Sequence, residues 1–265
     1  MKNILLSKKL VKIPGRFAGS KKGDNGKVLI VGGSEDYVGA MALAGIAAMR
    51  SGADSVLVMC PERAAYAINA LSADLVTRKL KGRDLSLRHF ASIAPYLNNA
   101  DALLIGNGIR ERQSSDALIK KIITVFRGPK VLDARALFVF DEKKLNNALL
   151  LPNPKEFIAL RKRVDIGRLI ANGNIIVAKG YPTKIMSGKK IYISTANPGI
   201  TKAGMGDVLA GLAAGFLAQS HGDIEWSALN SVYFWHQTAD ILSRQKKGFT
   251  YLASDLAKEI IIYRT

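Results

Sequence analysis

The sequence predicts an α/β fold, a mainly parallel sheet with helices on both faces. Two observations predict it. Short uninterrupted apolar runs end in glycine or proline, as strands covered on both faces do. Segments with helical spacing separate them, so strand and helix alternate almost throughout, the pattern of βαβ units. A chain of 265 residues, 48% hydrophobic, with no Pro/Ser-rich linker and no repeat, supplies the core of one domain over 1–265.

The elements follow in order. "GKVLIVGG" (Gly26–Gly33) is a buried strand, and "GAMALAGIAAMRSG" (Gly39–Gly52) is an Ala-rich helix with a glycine stop. "DSVLVMCPE" is the next strand, closed by Pro61, and "RAAYAINALSADL" the next helix. "ADALLIGNGI" runs into a Gly-Asn-Gly turn, and "SSDALIKKIITVF" is an amphipathic helix with serine at its start. "PKVLDARAL" and "ALLLPNPKEF" give a strand, a helix entry, a second strand and a Pro-broken turn. "NIIVAKG" is a strand, "KIMSGKKIYIS" a hairpin turning near Ser187-Gly188, and two helical runs close the chain. Ligands of such sheets bind beyond the C-terminal ends of the strands. Five turns fall there, "GGSEDYVGA", "GNG", "PNPKE", "KGYPT" and "NPGITKAGMGD", and they are expected to meet in one crevice.

Composition removes some classes. No run of about 18 apolar residues marks a membrane span. The N-terminus lacks an apolar stretch with a small-residue cleavage site, so no signal peptide is read. The single Cys60 follows an apolar strand and reads as a buried thiol in a reducing cytoplasm. Lys+Arg 39 against Asp+Glu 21 gives +18. The basic residues are scattered in short groups such as Lys8-Lys9 and Arg161-Lys162-Arg163, which reads as a solvated surface, attractive to small anions, rather than a nucleic-acid stripe. His89, His221 and His236 are too far apart in sequence for a metal motif. Trp226, Tyr233, Phe234 and Trp235 have helical spacing and read as core or subunit contact.

The informative stretch is "AGMGDVLAGLAAGF". Gly204 and Gly206 let the backbone approach a ligand, and the helix start that follows is an anion site. Asp207 lies at the same place, favoured as a carboxylate by the helix N-terminus. It is either a capping residue or a base beside an anion hole, the equipment for phosphoryl transfer to a hydroxyl. Gly211 and Gly215 read as close-packing positions. "GGSEDYVGA" lacks G-x-G-x-x-G spacing, so a dinucleotide-binding oxidoreductase has little support, and a P-loop is absent.

The segments "KGDNGKVLIVGGSEDYVGAMALAGIAAMRSGADSVLV" and "NPGITKAGMGDVLAGLAAGFLAQ" resemble the two signature regions of the ADP/ATP-dependent NAD(P)H-hydrate dehydratases, a branch of the ribokinase-like superfamily. The resemblance runs from Lys22 to Asp240 and implies a ribokinase-like three-layer αβα sandwich. It implies repair of the S epimer of NADH or NADPH hydrate. ADP or ATP, with Mg²⁺, phosphorylates the hydrate hydroxyl, and phosphate leaves by elimination. Asp207 matches the family's catalytic aspartate, and Gly206 the glycine that touches nucleotide, beside Gly204. "KGYPT" resembles the Lys-Gly-x-x-Thr segment, so Lys179, Gly180, Tyr181, Pro182 and Thr183 are expected at the nucleotide. Ala40, Gly108 and Asn153 match hydrate-contacting positions. The resemblance also implies a cytoplasmic homo-oligomer, a tetramer foremost. No fused epimerase domain is expected, and that activity is expected from a separate protein.

Departures qualify the resemblance. Pro152-Asn153-Pro154-Lys155-Glu156 stands where Pro-His-x-Gly-Glu is common; its Asn-x-x-Glu spacing resembles other ribokinase-like enzymes and marks Glu156 as a magnesium-organising residue. Met205 replaces a threonine, and Arg135 stands where aspartate is common, while Asp133 is kept and reads as structural. The same spacing motivates a second reading, a kinase for a vitamin-precursor alcohol. A third is a basic nucleotide- or nucleic-acid-binding protein without catalysis.

Overall fold

The computed structural model describes residues 2–246 and 248–260. Among them the strands are β1 (Lys2–Leu5), β2 (Lys27–Val31), β3 (Ser55–Pro61), β4 (Val76–Leu80), β5 (Ala102–Ile105), β6 (Lys130–Leu132), β7 (Ala148–Leu150), β8 (Ile175–Ala178), β9 (Thr183–Ser187) and β10 (Lys190–Ser194). The helices are α1 (Val38–Arg50), α2 (Glu62–Leu71), α3 (Phe90–Leu97), α4 (Gln113–Val125), α5 (Pro154–Arg163), α6 (Ile166–Ala171), α7 (Met205–Gln219), α8 (Ile224–Gln245) and α9 (Ala253–Glu259).

The strands form one sheet in the order β1-β10-β9-β8-β7-β6-β5-β2-β3-β4. Pairing from β4 across to β8 is parallel, β9 runs antiparallel to β8 and β10, and β1 is parallel to β10. The hairpin turns between Ser187 and Lys190, as expected. Successive side chains of a strand face opposite ways, and the two cores divide accordingly. Val28 and Ile30 of β2 join α1, α2, α7, α8 and α9 on one face. Leu29 and Val31 join α3, α4, α5 and α6 on the other. The architecture is therefore the three-layer αβα sandwich.

Helix α7 is buried along most of its length because its small residues let neighbours approach. A Cβ on Gly211 would collide with the Ala44 carbonyl oxygen of α1, and one on Gly215 with the Ser51 hydroxyl. Both glycines are packing residues. The helix start is fixed from the other side by α8, where the Trp235 indole N–H donates to the Met205 carbonyl at 3.0 Å. Phe216, Trp226 and Phe234 pack ring against ring, so the aromatic spacing of α8 serves the core. Cys60 is buried, and that burial pushes its thiol up to about 12.

Candidate active site

The C-terminal ends of the parallel strands carry the expected turns, and hydrogen bonds tie these together. The Gly33 N–H after β2 donates to the Asn107 carbonyl after β5 at 2.8 Å. The Lys179 N–H after β8 donates to the Pro152 carbonyl after β7 at 2.8 Å. The fifth turn joins through side chains, since Asn107 Nδ2 donates to Asp207 Oδ1 at 2.7 Å. Lys179 Nζ lies 3.2 Å from where a Cβ on Gly206 would stand.

Asp207 occupies the third residue of α7 behind Gly204, whose φ of 83° is the left-handed conformation that glycine tolerates best. The first N–H to close the helix is that of Val208, onto the Gly204 carbonyl. The amides of Gly206 and Asp207 thus belong to the unpaired first turn, which faces an anion well. Around Asp207 the charges are unbalanced. Lys179 Nζ donates to Asp133 Oδ1 at 2.8 Å, and Asn107 Nδ2 reaches Asp133 Oδ2 at 2.9 Å. Burial raises the Asp207 carboxyl to about 6. Its hydrogen bond from Asn107 opposes that rise, Asp133 adds to it, Lys179 opposes it and Glu156 adds to it. The helix start was expected to favour the carboxylate; desolvation and two neighbouring carboxylates outweigh it. Glu156 is raised too, first by burial.

A cavity of about 330 Å³ opens beside this cluster, lined in part by Asn153, Pro154, Lys179, Gly180, Lys202 and Gly206. A larger one, about 710 Å³, lies at the opposite end of the sheet beside Arg16 and Arg50, away from the carboxylates. Several sequence-derived candidates therefore meet at the first cavity. Tyr181, next in the chain to Gly180, is 75% exposed. Thr183 is buried beneath the turn, its hydroxyl donating to the Gly180 carbonyl at 3.0 Å and lying 3.3 Å from His236 Nε2. It supports the turn from below. Ala40, in the first turn of α1, and Gly108, beside Gly33 and Tyr37, lie with the first and second turns, on the other side of the Asn107 bridge. Asn153 caps α5: its Oδ1 accepts from the Glu156 N–H at 2.9 Å, and Glu156 Oε2 accepts from the Asn153 N–H at 2.8 Å.

Two residues take a larger part than the sequence suggested. Asn107 sits inside a turn that read only as glycine punctuation, and its partners lie 26 and 100 positions away. Asp133, read as structural, is the ion-pair partner of Lys179. Arg135 instead pairs with Glu111 and Asp116, outside the cluster. His89 and His236 are buried packing residues. His236 is held down to about 4 by burial, against the pull of Asp240, and lies 2.8 Å from the Ser194 hydroxyl. Among the described residues no group of three or more His, Cys, Asp or Glu side chains forms a metal cluster. No described helix is long and apolar enough to cross a membrane.

The family model described as NAD(P)H-hydrate dehydratase matches residues 28–262. A bifunctional NAD(P)H-hydrate repair enzyme of Methanothermobacter thermautotrophicus is 34% identical over 95% of this chain and 52% of its own length, so the chain spans about half of that relative. A ribokinase-like superfamily protein of Enterococcus faecalis superposes with a TM-score of 0.81 at 22% identity, over 97% of this chain and 94% of its own. The ADP/ATP-dependent NAD(P)H-hydrate dehydratase of Bacillus subtilis, co-crystallised with ATP and Mg²⁺, superposes with a TM-score of 0.75 at 25% identity, over 93% of this chain and 91% of its own. The matched span contains all five turns of the crevice and most of the chain, and the chain belongs to the NAD(P)H-hydrate dehydratase family, on the ribokinase-like fold.

Proposed function

We propose that the protein restores NADH or NADPH from the S epimer of its hydrate, consuming ADP or ATP. The observation that carries the reading is Asp207. It is a carboxylate at the start of a buried helix, raised to about 6, with unpaired first-turn amides beside it and the Lys179 ammonium close by. At neutral pH such a group is ionised yet basic enough to take a hydroxyl proton.

The nucleotide occupies the cavity at Asn153, Lys179, Gly180 and Gly206, its terminal phosphate against the start of α7. The hydrate enters from the side of Ala40 and Gly108. Asp207 accepts the proton of the hydrate hydroxyl as that oxygen attacks the terminal phosphorus and the bond to the leaving nucleotide breaks. The first-turn amides and Lys179 face the charge that develops on the transferring group. The carbon–oxygen bond of the phosphate ester then breaks, the neighbouring carbon gives up a proton, and the ring double bond returns. AMP or ADP and phosphate are the remaining products.

The residues suit a magnesium ion that arrives with phosphates rather than a resident one. Asp133 raises the carboxyls of Glu156 and Asp207, Glu156 raises that of Asp207, and Lys179 is the positive charge set against them, so the cluster carries an excess of negative charge that a cation relieves. Glu156 is the group placed to organise it, and the ion supplies charge neutralisation of the transferring phosphate.

The test is to incubate hydrated NADH with the protein, magnesium and ADP or ATP, and to follow the reduced-nicotinamide absorbance. Nucleotide-dependent recovery is expected. A stable phosphorylated alcohol with no recovery refutes the reading and marks a kinase.

A further inference from the structure

Both amide hydrogens of Asn107 are committed to carboxylates, Asp207 Oδ1 at 2.7 Å and Asp133 Oδ2 at 2.9 Å. The residue is 2% exposed, and its own Oδ1 is buried without a hydrogen-bond partner among the described residues. With two acceptors as partners, the amide has one sensible orientation, nitrogen toward the acids. The amide is therefore held through its nitrogen, and its place is set by the two acids it bridges. The remaining oxygen of Asp133 takes Lys179, which commits the local positive charge to Asp133. Asp207 is left with one neutral donor, on one oxygen.

We propose that Asn107 is the positioning residue of the base: it clamps Oδ1 of Asp207 against Asp133 and leaves Oδ2 to take the proton of the substrate hydroxyl. The proposal rests on Asp207 being the base of the reaction above. The clamp does two things. It fixes the rotation of the carboxylate, so that the accepting lone pair is aimed rather than averaged. It also separates two acids with a neutral bridge, where a shared lysine would pair with the base and lower its basicity. The charged groups facing Asp207 are Asp133, Lys179 and Glu156, and the ion pair of Lys179 with Asp133 does not involve Asn107.

The variants are Asn107→Ala, which removes the clamp, and Asn107→Asp, which keeps the shape, loses both donors and adds a like charge. In Asn107→Ala kcat is expected to fall about 10–100-fold, with KM for nucleotide and hydrate within about threefold, since a misaimed base costs turnover and not binding. The acid limb of the kcat profile moves up, because the lost hydrogen bond favoured the charged form. Asn107→Asp falls further. Thermal melting of both variants confirms that they are folded. Unchanged kcat with the limb in place overturns the proposal, as does a loss confined to the KM for hydrate. A readout without substrate separates this idea from the reaction itself: carbon NMR titration of the Asp207 carboxyl, assigned through Asp207→Asn. An upward shift in Asn107→Ala supports the clamp even where the wild-type protein repairs no hydrate, an outcome that refutes the reaction alone. An unmoved titration in both variants overturns the clamp.

Discussion

Two aspartates at opposite ends of the sheet show how one side chain is put to two uses. Asp54 stands before β3, at the N-terminal ends of the strands, and its side chain is 2% exposed. Asp207 stands at the C-terminal ends, deeper in the protein mass but open to a crevice. Burial pushes Asp54 up, yet the N–H groups of Asn25 and Gly23, the Asn25 amide and the Arg16 guanidinium hold its carboxyl below the usual range. Asp207 has one donor and two acidic neighbours, and rises to about 6. Donor number and depth, more than loss of contact with solvent, decide which carboxylate is a staple and which can accept a proton. The lesson for reading sites is that the under-supplied acid is the functional candidate.

The largest effect tests the under-supplied one. Asp207→Asn keeps the geometry and removes the proton acceptor, so turnover at saturating nucleotide is expected to fall roughly 10²–10⁴-fold. Its stability should move the other way. A carboxyl raised from 3.8 to about 6 on folding costs the fold about 3 kcal/mol above pH 6, where it is charged in both states. That cost shrinks as pH falls through 6 and is gone below 3.8. The variant should therefore melt a few degrees above the parent at pH 7.5, with the gap closing by pH 4. Near-normal turnover in a stable variant would return Asp207 to the role of a simple helix-start acid.

Asp54→Ala reverses the pattern. It leaves the Gly23 and Asn25 donors and Arg16 facing nothing, a loss of about 2–4 kcal/mol, or roughly 10 °C in Tm. Turnover per folded molecule stays within about twofold, because this end of the sheet is remote from the crevice. The pH dependence has the opposite sign to that of Asp207. A depressed carboxyl stabilises above its unfolded value of 3.8, and that contribution fades as pH falls through the lower folded value. The deficit of the variant is thus full at pH 7 and shrinks in acid. A kcat loss larger than the Tm loss would break the division between the two ends.

How much of this was legible follows from distance along the chain. Strands such as Lys27–Val31 and Ala102–Ile105 are buried on both faces and announce themselves as apolar runs. Strand β4 does not: Val76–Leu80 is an edge strand with exposed Val76, Arg78 and Lys79, and only its pairing with β3 makes it one. The Lys2–Leu5 strand is likewise hidden among basic residues and exists through β10. Helix α3 carries Pro95 inside it, which argues against a helix on local grounds. At the site, Asp207, Lys179 and Gly206 stand in recognisable turns. The ionisation of Asp207 was not readable, because it depends on Asp133, Glu156 and the depth of burial, none of them local.

Glu156 is the intermediate case, and it gives the smallest effect. Like Asp54 it accepts a backbone N–H, that of Asn153 at 2.8 Å; like Asp207 it is raised, by burial and by Asp133. Its partner Asn153 caps α5 in return, so Asn153→Ala removes one side of a reciprocal pair and should cost about 1 kcal/mol, a few degrees in Tm. The Asn153 N–H still reaches Glu156 in that variant, and the carboxylate stays roughly in place. The magnesium concentration for half-maximal turnover should then rise only about two- to threefold, with turnover at saturating magnesium nearly intact. Glu156→Gln makes the complementary cut. Glutamine serves a capping box as well as glutamate does and removes a carboxylate that burial disfavours, so Tm does not fall, while the negative charge is lost and the magnesium requirement rises further. Magnesium titrations of both variants, read beside their melting curves, decide the matter. A Glu156→Gln protein with unaltered magnesium dependence would place Glu156 with Asp54, as an acid whose work is to hold a turn.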